Sequence, residues 1–251
     1  MTERVYAGVI RTAIGLFRAL DFQFEIEGVE HLPDSGGAVL ASNHVSYFDF
    51  MFVGYAALPK HRLVRFMAKK AVFDNPVSGP LMRAMHHIPV DRAAGAGAYA
   101  EAVRVVRDGE LVGVFPESTI SRAFVPRTLK SGAARMAMDA DVPLLPVVVW
   151  GGQRVWTTGH RPRPRRHVPV VVKIGAPIER TGSETAMDLT RVLHERLTKL
   201  VEEVQRAYPP PASAADSWWQ PAYLGGSAPT LEQARPIELA ALARKRAKRG
   251  R

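Results

Sequence analysis

The strongest constraint on this chain is a repeated exchange between short apolar runs and longer stretches with helical spacing. Apolar runs fall at residues 38–42, 63–68, 88–90, 111–115, 143–150 and 168–174. Each is too short for an independent helix and has the length of a strand. Between them lie stretches expected as helices: residues 46–58 (stopped by Pro59), a helix opened by Asn75-Pro76 and carrying Leu81, Met82 and Met85, then 96–107, 130–139 and 184–208. Phe22, Phe24 and Ile26 alternate with Gln23, Glu25 and Glu27, a period of two that predicts one half-buried strand. The other runs are apolar on all or all but one residue, as in strands covered on both faces. The fold class expected is α/β: a single domain with a largely buried mixed sheet flanked by helices.

Its boundaries follow from the breakers. Residues 1–20 read as a short amphipathic helix, with Arg4, Arg11 and Arg18 spaced by seven along one side and Val5, Val9, Ala13, Leu16, Phe17 and Leu20 around the rest. Such a helix suits a lipid–water interface or a packed position with its arginines in water. Pro209-Pro210-Pro211 ends the last helix, because consecutive prolines donate nothing to the helical ladder. The domain is therefore expected over 21–208, followed over 209–251 by a Pro/Gly/Ala-rich basic appendage with a short helix near 231–248.

Charge narrows the partners. The formal net charge is +10, with 34 Lys and Arg against 24 Asp and Glu. Arg244 to Arg251 holds six of the cations and Arg154 to Arg166 five, neither with an acid; the rest, 23 basic against 24 acidic, is near neutral. Local basic patches seek phosphate, in nucleic acid or in anionic lipid headgroups. Trp150 and Trp156 flank the start of the arginine stretch, and Trp218, Trp219 and Tyr223 follow in the tail, a pairing common at lipid boundaries. No run of about 18 uncharged apolar residues is present, and the first residues lack the pattern of a secretory signal. With no cysteine, a Cys nucleophile and a thiolate metal site are excluded, and the chain suits a reducing compartment.

The chemistry-bearing stretch is Ala41 to Phe50, ASNHVSYFDF. A short strand runs into Asn43-His44, and Asp49 follows five residues later. On one helix these two would point about 140° apart. They meet if His44 precedes the helix and Asp49 sits in its first turn, with Ser46 as the N-cap between them. A carboxylate on one ring nitrogen fixes the tautomer and leaves the other nitrogen to accept a proton from a hydroxyl. The Ser46–Asp49 spacing is also a plain capping pattern, which alone accounts for Asp49. Glu117 stands in the loop after the 111–115 strand, and Lys69, Lys70 and Arg92 follow two other strands, where they can converge on an anion.

In order and spacing these features resemble the glycerolipid acyltransferase family, the 1-acyl-glycerol-3-phosphate acyltransferases. Asn43-His44 with Asp49 is similar to the family's N-H-x-x-x-x-D block. Lys69-Lys70, Pro76, Gly79, Ile88 and Val90-Asp91-Arg92 resemble its second block, Phe115-Pro116-Glu117 its third, and Val142-Pro143-Leu144-Leu145-Pro146-Val147 its fourth. Lys130-Ser131-Gly132 also looks familial, and the resemblance spans roughly residues 20–200.

The resemblance implies transfer of a fatty acyl group from acyl-CoA or acyl carrier protein to the free hydroxyl of lysophosphatidic acid, giving phosphatidic acid, without cofactor or metal. His44 is the implied general base and Asp49 its partner. Asn43, Lys69, Arg92, Glu117, Ser118, Thr119 and Arg122 are the implied substrate contacts. A peripheral place on the cytoplasmic face of the cell membrane follows, with anionic lipid as the partner of the basic segments and nucleic acid disfavoured. One departure stands out: where the family's third block continues Glu-Gly-Thr-Arg-Ser, this chain reads Glu117-Ser118-Thr119-Ile120-Ser121-Arg122, so Ile120 occupies the phosphate-gripping position. Either Arg122 swings in, or Lys69 and Arg92 hold the phosphate. A same-fold enzyme for another lysolipid, a glycolipid or an ornithine lipid stays open, as does a non-enzymatic basic binder.

Overall fold

The computed structural model describes residues 2–91 and 95–249; the side chains of residues 2, 3, 95, 96, 242 and 244–249 lie outside that description. In chain order the elements are α1 (Thr2–Ala19), β1 (Gln23–Glu27), β2 (Ala38–Ser42), α2 (Asp49–Ala56), β3 (Val64–Lys69), α3 (Lys70–Phe73), α4 (Ser78–Ala84) and β4 (Ile88–Val90). They continue with α5 (Gly95–Arg107), β5 (Leu111–Val114), α6 (Gly132–Ala140), β6 (Leu144–Trp150), β7 (Pro169–Ile174), α7 (Ala186–Ala207) and α8 (Leu231–Arg249).

The strands form one mixed seven-stranded sheet in the order β1-β7-β6-β2-β5-β3-β4. All neighbours are parallel except β6 and β7. β2, β5 and β6 are buried on every residue, as their unbroken apolar runs require. On one face Val39 and Ala41 of β2 pack with α5, α6 and α7; on the other Leu40 packs with Phe17 of α1 and Phe52 and Val53 of α2. Alternate residues of one strand thus feed two cores. Gly113 in β5 keeps space for a neighbour: a Cβ there would lie 2.4 Å from the Phe66 ring.

Two regions differ from expectation, and α1 takes one of the two positions open to it. The helix expected over 46–58 begins only at Asp49, because residues 45 and 46 wrap their N–H groups around the Asp49 carboxylate instead of entering the helix. Ser46 is accordingly not the N-cap, although its hydroxyl accepts the Phe48 N–H at 3.1 Å. α1 is packed by one side: Tyr6 donates its hydroxyl to the Val64 carbonyl at 2.7 Å, and Phe17 lies among Phe22, Phe24, Phe52 and Tyr55. Arg4, Arg11 and Arg18 are exposed, together with Val5 and Leu16.

The expected appendage after residue 208 is in part a packed segment. Trp219 is 2 % exposed and meets Tyr208 edge-on at 5.5 Å, and Tyr223 donates to Gln205 Oε1 at 2.6 Å. Arg154 stacks over Trp219 at 4.7 Å, and Arg165 grips both oxygens of Asp216 at 2.9 and 2.6 Å. Two of the five arginines read as a lipid-seeking patch therefore anchor the chain to itself. The prolines break the helix as expected, but the apolar Trp219 and Ala228 give the following residues surface to bury, and burial outweighs a loop-rich composition. The last helix appears where expected, as α8. Of the run Arg244 to Arg251 no side chain is described.

Candidate active site

β6, β2, β5, β3 and β4 run parallel and present their carboxyl ends at one edge. In open α/β sheets that edge carries ligand sites. The loops leaving it hold His44 after β2, Glu117 after β5 and the arginine-rich stretch after β6, while Lys69 ends β3.

Asp49 opens α2 and is fully buried. His44 Nδ1 donates to its Oδ2 at 2.9 Å, and the N–H groups of Val45 and Ser46 donate to the same oxygen at 2.7 and 2.8 Å. The Ser46 hydroxyl donates to Oδ1. Four donors converge on one carboxylate and fix its orientation: the pairing with His44 is present, while the capping reading is not, since Phe48 rather than Ser46 precedes the helix. The His44 ring is 22 % exposed and stacks on Phe115, with centroids 4.3 Å apart and planes at 23°. With Nδ1 committed to Asp49, Nε2 is the nitrogen available to a reacting group.

Glu117 holds the same loop from behind. It is buried, and its two oxygens accept the backbone N–H groups of His44 at 3.1 Å and of Arg127 at 3.2 Å. Burial pushes its carboxyl up to about 8, opposed by those two hydrogen bonds and the Arg127 charge. The His44 carbonyl accepts from the Ser121 N–H at 2.8 Å, so the segment 117–121 grips both polar groups of the His44 backbone. Arg127 is itself tied to Glu238 of α8 at 2.7 Å.

The other expected residues divide. Asn43, read as a substrate contact, is 2 % exposed and spends its carboxamide on β6: Nδ2 donates to the Val149 carbonyl at 3.0 Å and Oδ1 accepts the Val149 N–H at 2.8 Å. It clamps the end of β2 beside His44. Glu117 likewise faces the protein rather than an open site. Lys69 is exposed at the end of β3, opposite Val90 in the β3–β4 ladder; Arg92, two residues past Val90, lies outside the described residues. Lys70 pairs with Asp74 at 2.7 Å. Ser118 has a φ of 62° in the turn after β5, Thr119 is exposed, and Ile120 is buried where a cation was expected. Arg122 turns toward the loop after β6, lying against Gly159.

Sequence reasoning missed the stacking of Phe115 and the Arg127 N–H. Phe115 had a signal, since it stands beside Glu117; Arg127 had none, because a backbone donor leaves no residue signature. Also unforeseen in detail is an apolar cavity of about 300 Å³ lined by Tyr6, Ile10 and Ala13 of α1, Phe50 of α2, Phe66 of β3 and Leu81 of α4. Phe50 follows Asp49 directly, and Phe66 stacks at 6.2 Å on Phe115, which in turn stacks on His44, so one ring stands between the cavity wall and the histidine. Among the described residues no group of three or more His, Cys, Asp or Glu is placed to hold a metal ion, and no helix is long and apolar enough to cross a membrane.

A family model described as Acyltransferase matches residues 23–150. The chain is 28 % identical over 187 residues to the 1-acyl-sn-glycerol-3-phosphate acyltransferase of Bacillus subtilis, covering 70 % of this chain and 87 % of that protein. It is 31 % identical over 210 residues to an uncharacterized acyltransferase of Schizosaccharomyces pombe, covering 80 % and 70 %. The fold is similar to the crystal structure of the 1-acyl-sn-glycerophosphate (LPA) acyltransferase PlsC from Thermotoga maritima, with a TM-score of 0.66, 23 % identity, and coverage of 83 % and 81 %.

Proposed function

The chain belongs to the acyltransferase family, and from that premise we propose that it acylates lysophosphatidic acid from a thioester donor to give phosphatidic acid. The observation that carries the reading is the buried Asp49 carboxylate holding Nδ1 of the partly exposed His44 ring at 2.9 Å. The name of the Bacillus subtilis relative supports the acceptor. Acyl-CoA and acyl carrier protein are both suitable donors, since each presents the acyl group as a thioester.

In the proposed step His44 Nε2 takes the proton from the acceptor hydroxyl as its oxygen attacks the thioester carbonyl. The carbon–sulfur bond then breaks, and the leaving thiolate takes that proton back from the imidazolium. Asp49 offsets the positive charge that His44 carries between the two transfers. Glu117, through the His44 backbone N–H, holds the ring's peptide in place while the substrates exchange. A cavity of about 300 Å³ falls at the lower end of ligand-site volumes and suits part of an acyl chain.

Peripheral membrane attachment on the cytoplasmic side is part of the proposal. Exposed Tyr47, Phe50, Val77 and Trp156, with the exposed arginines of α1, offer apolar and cationic contacts of the kind that bind anionic lipid. Flotation with anionic but not neutral vesicles is the expected result. Buried Ile120 favours a second reading, the same chemistry on a different lysolipid. Acyl transfer measured across a lysolipid panel at fixed donor tests both: the proposal predicts lysophosphatidic acid as the preferred acceptor, and preference for an acceptor without phosphate overturns it.

A further inference from the structure

Two guanidinium groups and an imidazole gather beside the His44 loop without a carboxylate among them. Arg122 lies across Gly159, where an added Cβ would stand 2.0 Å from its Nη1, and Gly159 has a φ of 83°. His160 follows, with its ring over Trp218 at 4.2 Å and 30°. Arg163 stacks its guanidinium over Trp218 at 5.1 Å. One indole and one glycine therefore collect Arg122, His160 and Arg163 at one place. Burial, then the charges of Arg163 and Arg122, hold the His160 imidazole below its ordinary value, so both guanidinium groups act on it at short range. Among the described residues none of the three forms an ion pair, whereas the neighbouring Arg154 and Arg165 reach Asp216 at 3.9 and 2.6 Å.

The cluster is fixed relative to the reacting histidine. Ser121, next to Arg122, donates its N–H to the His44 carbonyl at 2.8 Å. Thr157, two residues before Gly159, donates its hydroxyl to the Val45 carbonyl at 2.6 Å. Holding like charges together costs energy unless an anion is shared between them. A phosphomonoester carries about −1.5 to −2 charges near pH 7 and three strong acceptor oxygens, and a guanidinium fork matches that geometry.

We propose that Arg122, His160 and Arg163, collected on Gly159 and Trp218, form a phosphomonoester site beside His44 that replaces the cation absent at Ile120. The inference rests on the acyltransferase reading above, which supplies two sources of the group: the headgroup of lysophosphatidic acid and the ribose 3′-phosphate of CoA.

The test is a 31P NMR titration of the full-length protein with glycerol 3-phosphate and, separately, with CoA. Wild type is compared with Arg163→Gln, His160→Gln and Gly159→Ala, the last displacing Arg122 without removing a charge. Arg191→Gln, on the α7 surface and paired with Glu195, controls for net charge. Loss of one charge-assisted contact predicts glycerol 3-phosphate binding weakened about ten- to a hundredfold in Arg163→Gln, with weakening also in Gly159→Ala and no change in Arg191→Gln. Weakening confined to CoA supports the site and assigns it to the donor. Equal binding by wild type and all three cluster variants, or binding of neither ligand by wild type, overturns it. Because the titration needs no turnover, inactivity of the wild type on lysophosphatidic acid would remove the proposed reaction and leave this result to be judged separately.

Discussion

Glu117 Oε1 accepts the backbone N–H of His44 at 3.1 Å, so a buried acid on the loop after β5 holds the peptide of the histidine on the loop after β2. The contact joins two loops through residues 73 apart in the chain and places Glu117 behind the His44 peptide. Its second oxygen is spent on the Arg127 N–H, so both face the protein.

The raised carboxyl of Glu117 has a consequence for stability. Its folded value of about 8 lies above the ordinary value of 4.5, so the folded state retains a proton that the unfolded chain releases. Its contribution is complete below about pH 4.5 and is lost as pH rises through about 8. Glu117→Gln keeps a neutral acceptor and removes that titration. Thermal unfolding from pH 5 to 8.5 is expected to show a smaller fall in Tm for Glu117→Gln than for wild type; parallel curves would refute the assignment.

Asp49→Asn tests the charge pairing separately from the hold on the Val45 and Ser46 N–H groups. An amide retains an acceptor for the Val45 and Ser46 N–H groups but carries no charge to set against the imidazolium. Turnover is expected to fall by about a hundredfold or more, with α2 retained by circular dichroism. A folded Asp49→Asn protein with wild-type kcat would reduce Asp49 to a loop-holding residue.

Trp219→Ala removes a fully packed ring between Tyr208 and Arg154. A cost of about 3–5 kcal/mol is expected from urea unfolding, together with proteolytic cleavage near residues 209–225 ahead of the rest of the chain. Unchanged stability would return the segment to the status of an appendage.

How much of this was legible in the sequence varied by kind of signal. The sheet was legible because β5 and β6 are apolar on every residue and β2 on all but Ser42, the pattern of strands buried on both faces. The His44–Asp49 contact was legible as a spacing, since five residues suit a histidine before a helix and an acid in its first turn. The start of α2 at Asp49 was not, because it depends on backbone N–H groups turning toward a carboxylate. The same limit hid the roles of Asn43 and Glu117, whose side chains bond to backbone atoms of β6 and of Arg127. The packing of Trp219 was obscured by its surroundings: prolines and glycines predict a loop but say nothing of whether that loop is held down.

The central claim is that His44 is the proton acceptor in acyl transfer, and the most direct measurement is the initial rate of radiolabelled acyl transfer to lysophosphatidic acid by wild type and His44→Ala. His44 is partly exposed and its ring packs on Phe115, so the variant is expected to fold, with Tm checked alongside. The account predicts a rate lower by about a hundred- to ten-thousandfold in the variant. A folded His44→Ala protein that transfers acyl groups at close to the wild-type rate would contradict it.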